Sequence, residues 1–95
     1  MADMVDSAEL QEALAELEGW EGTPSEGIAK TFKLDDFNGS VAFLNRVAEL
    51  ADEADHHPDV AISWNKVTLT YLTHSVGAVT SADVEQARRI EGRFG

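Results

Sequence analysis

The sequence contains no cysteine, only three lysines and only two prolines among its 95 residues. Without cysteine, the chain forms no disulfide and offers no thiol for catalysis or metal binding. No apolar stretch approaches the roughly 20 residues that a membrane-spanning helix needs. The first residues show neither the basic region nor the apolar core of a signal peptide. We therefore expect a cytoplasmic protein with no membrane partner.

Basic residues are also scarce relative to acidic ones. Eighteen acids outnumber seven lysines and arginines, which gives a net charge of -11, and residues 1–29 hold eight of the acids and no lysine or arginine. Such a surface repels phosphate backbones and argues against nucleic acid as a partner. Two interpretations of the excess stay open. It serves ordinary solubility, or it is a halophilic adaptation to a salt-rich cytoplasm, where screening makes dense negative charge tolerable.

The length predicts a single domain over residues 1–95, whose modest core would gain from oligomerisation. Apolar residues at helical spacing predict a first helix over 7–18, capped by Ser7. Alternating residues predict a strand over 28–34, with a short strand before it near Trp20. A second helix, capped by Asp36 or Ser40, is predicted to end near His56, because a proline follows two residues later.

The second half of the chain predicts a hairpin and a last helix. Asn65 and Lys66 are the expected turn, with Asn65 in the left-handed conformation. The strand after it places Val67, Leu69 and Tyr71 on one face, and residues 68, 70, 72 and 74 on the other. Thr80 or Ser81 is predicted to cap the final helix. This order predicts an α+β fold, a small antiparallel sheet with helices packed on one face.

The three histidines are the main functional signal. His56 and His57 lie at the end of the predicted second helix, and His74 lies at the end of the long predicted strand. Imidazole titrates near pH 6.5, so it both gives and takes protons near neutrality. If the helix persists, Asp52 lies one turn before His56 and orients its ring. The pattern predicts an acid–base site for a flat, polar ligand.

Simpler interpretations of these residues stay open. A histidine pair at a helix end is often a solvated cap. Three histidines beside an acid suit zinc or another transition metal, although the adjacent pair lacks the i, i+4 spacing of a helical metal site. Trp20 and Trp64 are equally explained as core or edge aromatics. Asp83 is most simply an acid in the first turn of a helix.

A longer pattern runs through the same residues, Asp52-x3-His56-His57-Pro58-x5-Trp64-x9-His74-x8-Asp83. It resembles the signature of the pterin-4a-carbinolamine dehydratases. The resemblance extends from Trp20 to about Phe94. Four further short motifs match that family: Gly19-Trp20, Asp36-Phe37, Arg46-Val47-Ala48 and Asn65-Lys66-Val67.

The resemblance implies a four-stranded antiparallel sheet with three helices on one face, in the order α-β-β-α-β-β-α, and a homodimer or homotetramer. It implies that a small-molecule pterin, 4a-hydroxytetrahydropterin, is dehydrated to quinonoid dihydropterin without metal or other cofactor. His56 and His74 are then the implied acid–base pair, and His57 is a third catalytic member that also binds pterin. The implied substrate-binding residues are Trp20, Asp52, Asp55, Thr73 and Ser75, and Asp52 stands where the family commonly has glutamate.

Two other functions fit the same features. The fold could act on or bind another pterin, such as a molybdopterin precursor, because the motif does not separate pterins by their side chains. Some animal members of the family also act as dimerisation partners of a transcription factor. A purely non-catalytic interaction module would have no need of all three histidines, which favours the enzyme.

Overall fold

Helices and strands follow one another in the predicted order. The computed structural model describes residues 3–94, with the elements α1 (Ser7–Ala15), β1 (Glu21–Thr23), β2 (Gly27–Lys33), α2 (Phe37–Ala54), β3 (Asp59–Ser63), β4 (Lys66–Tyr71) and α3 (Ser81–Phe94). The predicted α+β fold, with the order α-β-β-α-β-β-α, is therefore confirmed.

Helix α1 differs from the prediction at both ends. Asp6, not Ser7, is the N-cap: its carboxylate accepts from the Glu9 N–H at 2.8 Å, and the Glu9 carboxylate accepts from the Asp6 N–H at 3.2 Å. This reciprocal capping box satisfies two N–H groups, which Ser7 alone would not do. The helix ends three residues early, because the Glu16 and Leu17 N–H groups bond to carbonyls only three residues back.

The four strands form one antiparallel sheet in the order β1-β2-β4-β3. In the central pair Ile28 lies opposite Tyr71, and both side chains are fully buried under the helices. On the other face Thr31 lies opposite Thr68, and their hydroxyl groups are 2.8 Å apart. Because successive strand residues point to opposite faces, one face of the sheet belongs to the core and the other is polar.

A single hydrophobic core lies between the sheet and the three helices. Leu10 of α1, Val47 of α2 and Ile90 of α3 are each fully buried. Burial of one such side chain contributes about 1.5–3 kcal/mol to folding. The strands contribute four fully buried residues to the same core, Ile28, Val67, Leu69 and Tyr71.

Asp36 is the N-cap of α2, which decides between the two predicted caps. Its carboxylate accepts from the Gly39 N–H at 2.7 Å. Ser40, the other candidate, is buried in the first turn, and its hydroxyl donates to the carbonyl of Trp64 at 2.7 Å. The start of α2 is thereby tied to the hairpin between β3 and β4.

The hairpin turn consists of Trp64 and Asn65, so the prediction of Asn65 and Lys66 was wrong by one residue. Lys66 pairs with Ser63 of β3 and therefore belongs to the ladder. The left-handed residue is Trp64, with φ of 53°. Asn65 is buried instead, and its side-chain amide donates to the Leu34 carbonyl at 3.2 Å. Its polar groups are thus used to hold the turn against the end of β2.

Among residues 3–94, no helix is both long enough and apolar enough to cross a membrane.

Candidate active site

The His56-His57 pair begins the loop that leaves α2. The helix ends at Ala54, and Asp55 then takes the left-handed conformation, with φ of 51° and ψ of 42°. The N–H groups of Asp55 and His56 bond back to carbonyls of the last helical turn. This is a helix closure in which the left-handed residue is usually glycine. The turn carries His56 away from the helical face that it would share with Asp52.

His56 is paired with Asp83 of α3. Its Nε2 lies 2.5 Å from the Asp83 Oδ1, and the Asp83 side chain is fully buried while 18% of the His56 side chain is exposed. The expected orientation of His56 by Asp52 was therefore wrong. The position of Asp83 in the first turn of α3 is confirmed, but its carboxylate also holds an imidazole from another element.

The second oxygen of Asp83 connects the β4–α3 loop to the same pair. Oδ2 accepts from the Thr73 hydroxyl and from the Thr80 N–H, each at 2.8 Å. The Thr80 hydroxyl accepts from the Ala82 N–H at 3.2 Å, so Thr80 rather than Ser81 caps α3. The hydroxyl of Thr73, which the resemblance implies as a substrate contact, is directed to a buried carboxylate.

His57, rather than His56, is bonded to the carboxylate of Asp52. Its Nε2 lies 2.9 Å from the Asp52 Oδ1. Both side chains are more than half exposed. An ion pair of this exposure contributes at most about 1 kcal/mol, because water screens it and both side chains lose rotamer freedom. His57 is consequently positioned more loosely than His56.

His74 lies in a turn over residues 74–77, after the end of β4 at Tyr71. The prediction that His74 extends the outer face of that strand was therefore wrong. Its Nε2 lies 3.4 Å from the Asp59 Oδ2 at the start of β3, and both side chains are 65% exposed. The preceding residue, Thr73, bonds to the carboxylate that holds His56. The β4–α3 loop thus brings His74 to the same end of the sheet as His56.

Tyr71 is a site residue that sequence reasoning assigned to the core alone. Its ring stacks on the His56 imidazole, with centroids 5.7 Å apart and an interplanar angle of 17°. Gln86 donates to the Tyr71 hydroxyl at 3.5 Å. Burial raises the pKa of Tyr71 above 10.0, and the nearby Asp83 charge acts in the same direction. The alternation that marked Tyr71 as buried gave no signal of its contact with a histidine.

The other predicted contacts differ in their exposure. Trp20 is 3% exposed, and its Nε1 donates to Glu91 at 3.1 Å. Its ring centroid lies 6.4 Å from that of Tyr71, so the Tyr71 ring is a neighbour of both Trp20 and His56. Asp55 and Ser75 are exposed, in the two loops that carry the histidines. Substrate binding by these residues stays a prediction.

The arrangement suits proton transfer. It combines one firmly held imidazole with two exposed ones, and each histidine lies beside an aspartate. Within residues 3–94, no group of three histidine, aspartate or glutamate side chains is arranged to hold a metal ion. Histidine is the side chain that enzymes use most often for general acid–base catalysis.

Comparison with known proteins defines the class. A family model described as pterin 4 alpha carbinolamine dehydratase matches residues 3–93. A protein of Thermosynechococcus vestitus is 42% identical over 90 residues, which are 95% of this chain and 94% of the relative. A protein of Roseiflexus castenholzii is 44% identical over 91 residues, which are 96% and 97% of the two chains. Both carry the name "Putative pterin-4-alpha-carbinolamine dehydratase".

Solved structures agree with the sequence comparisons. A crystal structure described as a transcriptional coactivator/pterin dehydratase from Brucella melitensis superposes with a TM-score of 0.88 at 33% identity, and covers 98% of this chain and 100% of its own. A pterin dehydratase-like protein, described as a RuBisCO assembly factor in the alpha-carboxysome, shares the fold with a TM-score of 0.60 at 24% identity, over 77% and 83% of the two chains. The chain therefore belongs to the pterin 4 alpha carbinolamine dehydratase family.

Proposed function

We propose that this protein dehydrates 4a-hydroxytetrahydropterin to quinonoid dihydropterin by histidine acid–base catalysis. The observation that carries the proposal is the bond between His56 and the buried Asp83, which also binds Thr73 beside His74. One carboxylate thus links two loops that both carry histidines. A general acid and a general base on separate elements are what an elimination at two neighbouring atoms needs.

The elimination breaks two bonds of the substrate. The C4a–O bond breaks as an imidazolium protonates the hydroxyl group, which leaves as water. The proton on N5 passes to a neutral imidazole, and the N–H electron pair becomes the C4a=N5 double bond. His56 and His74 serve as this pair, and His57 binds the pterin. No redox change takes place, and each proton transfer contributes about 10²- to 10⁴-fold to the rate.

The test is a stopped-flow assay of carbinolamine dehydration with the purified protein and its variants. His56→Gln keeps a donor for the buried Asp83, so it separates lost chemistry from lost folding. This variant and His74→Ala should each slow turnover by about 10²-fold or more. Asn45→Ala, at an exposed position on α2, should have the wild-type rate. A wild-type rate in a folded double histidine variant would contradict the acid–base assignment.

The proposed elimination needs no Lewis acid. Extensive chelation should therefore leave both the turnover rate and the melting temperature unchanged. A tightly bound, stoichiometric metal in the purified protein, lost together with activity on chelation, would overturn this part of the proposal.

Two alternatives remain as outcomes of the assay. The Brucella melitensis neighbour is described as both a coactivator and a dehydratase, so an interaction role is compatible with this fold. A folded protein without dehydration activity would favour that role, or the binding of a different pterin. A search of the source genome for a pterin-dependent aromatic amino-acid hydroxylase separates pterin recycling from action on a different pterin. Absence of such a hydroxylase would make pterin recycling the weaker interpretation. Analytical ultracentrifugation tests the homodimer or homotetramer that the family resemblance implies.

A further inference from the structure

With the Asp83 carboxylate ionised, the hydrogen bonds around it admit one assignment of protons. The carboxylate accepts from His56 on Oδ1, and from the Thr73 hydroxyl and the Thr80 N–H on Oδ2. A hydroxyl group carries a single proton, and that of Thr73 is given to Asp83. The contact of 2.8 Å between the Thr73 and Thr80 hydroxyls must then use the proton of Thr80. Hydrogen bonds therefore run in one direction, from Thr80 to Thr73 to Asp83.

The imidazole of His56 completes this chain from the other side. An ionised carboxylate only accepts, so the His56 Nε2 carries a proton. Tyr71 stacks on the face of the ring and restricts its rotation. Within residues 3–94, the hydrogen bonds of this imidazole involve Nε2 only. The nitrogen that remains free to exchange a proton is Nδ1.

We propose that Thr73 is a positioning residue, which acts through Asp83 to hold His56 in the tautomer with the proton on Nε2 and to leave Nδ1 as the nitrogen facing the substrate. The proposal rests on the proposed function for the identity of the reaction, but the tautomer is a property of the protein alone. It replaces the substrate contact that the family resemblance implies for Thr73. A carboxylate that fixes the tautomer of a catalytic histidine plays the same part in serine proteases.

The decisive variants are Thr73→Val, which removes the hydroxyl at nearly constant shape, and Thr73→Ser, which keeps it. Thr31→Val is the matched control, because Thr31 also bonds to a second threonine but on the polar face of the sheet. Long-range proton–nitrogen NMR of isotope-labelled histidine reads the tautomer directly. His57→Gln and His74→Gln variants assign the three imidazole signals.

In the wild type and in Thr73→Ser, neutral His56 should show a protonated Nε2 and a bare Nδ1. In Thr73→Val the Asp83 carboxylate keeps only the Thr80 N–H on Oδ2 and is freer to rotate away from the His56 Nε2. A substantial fraction of His56 should then carry the proton on Nδ1, and kcat should fall on the order of 10²-fold, with little change in KM. Thr31→Val should resemble the wild type in both measurements.

An unchanged tautomer in folded Thr73→Val overturns the proposal, and a raised KM at constant kcat assigns Thr73 to substrate contact instead. If the wild type lacks dehydration activity but the tautomer responds as stated, the proposed function fails while the positioning role stands.

Discussion

His56 and Asp83 are separated by 27 positions in the sequence and joined by a hydrogen bond of 2.5 Å. The nearer acid, Asp52, instead bonds to His57 at 2.9 Å. The difference arises because Asp55 turns the chain in the left-handed sense before His56. Two of the three histidines therefore have carboxylate partners of opposite character, one fully buried and one largely exposed.

We predict that the two carboxylates differ sharply in their contribution to stability. Asp83→Asn weakens three hydrogen bonds at a buried site and should reduce the free energy of unfolding by about 1–3 kcal/mol. Asp52→Asn breaks an exposed pair and should change it by no more than about 1 kcal/mol. Urea unfolding of the two variants measures both values. Equal losses would show that the hydrogen bonds of Asp83 contribute no more than a surface pair.

The left-handed Asp55 makes a second prediction. A residue with a side chain is strained in this conformation by about 1–2 kcal/mol, whereas glycine is not. Asp55→Gly should therefore raise the free energy of unfolding by up to about 1 kcal/mol, after the greater flexibility of glycine in the unfolded chain is subtracted. Ala48→Gly, at an exposed position inside α2, is the matched control and should lower it by about 1 kcal/mol.

The same Asp55→Gly protein tests a predicted substrate contact. If the Asp55 carboxylate binds pterin, KM should rise although the fold has become more stable. Strain retained at one residue beside a catalytic group is typical of a functional site. A stabilised variant with unchanged kcat and KM would show that Asp55 only closes the helix.

Tyr71 is the single tyrosine of the chain, so its titration can be followed alone. Burial, aided by the Asp83 charge, raises its pKa above 10.0. The folded state therefore keeps the proton more tightly than the unfolded state. The resulting stabilisation is complete below about pH 10 and is lost as the pH rises through the folded pKa. Tyrosinate absorbance in the folded protein should appear at higher pH than in the protein unfolded in urea.

A variant without the Tyr71 hydroxyl separates its contribution from that of every other ionisable group. Tyr71→Phe removes the ionisable group and keeps the ring that stacks on His56. Its stability should fall less steeply above pH 10 than that of the wild type. Identical slopes, or tyrosinate absorbance at the ordinary pH, would contradict the raised pKa.

The fold followed from the sequence because its signals are local. Alternation marked Val67, Leu69 and Tyr71 as one buried strand face, and all three are fully buried. Proline after His57 placed the end of α2 to within about two residues. Errors arose where two neighbouring residues are both suitable as a helix N-cap, as with Asp6 and Ser7 at the start of α1. The predicted hairpin turn was displaced by one residue, because Lys66 pairs with Ser63 in the β3–β4 ladder and is not part of the turn.

The hydrogen-bond partners of the site residues depend on tertiary packing, so the sequence alone did not predict them. The resemblance drew attention to His56 and Asp83 as motif residues, but helical spacing paired His56 with the wrong acid. Only the packing of α2 and β4 against the start of α3 brings Thr73 and Asp83 to that histidine. Periodicity identifies buried faces, and it does not state which polar groups meet within them.

The last prediction concerns the acidic surface. Within residues 3–94, only three of the eighteen acids form ion pairs with lysine or arginine, namely Glu53, Glu85 and Glu91. The uncompensated charge of -11 repels itself in the compact state, and salt screens this repulsion over a Debye length of about 3 Å at 1 M.

If the acids are an adaptation to a salt-rich cytoplasm, the melting temperature should rise steadily from dilute buffer to molar KCl. Glu12→Gln, on the exposed side of α1, and Glu16→Gln, at the exposed residue that follows this helix, should together weaken that dependence, because they remove like charges from residues 1–29, which hold no lysine or arginine. Sucrose at matched osmolarity controls for general exclusion effects, which stabilise proteins without screening charge. A midpoint that stays flat or falls with KCl would instead leave the acids with the role of keeping the protein soluble.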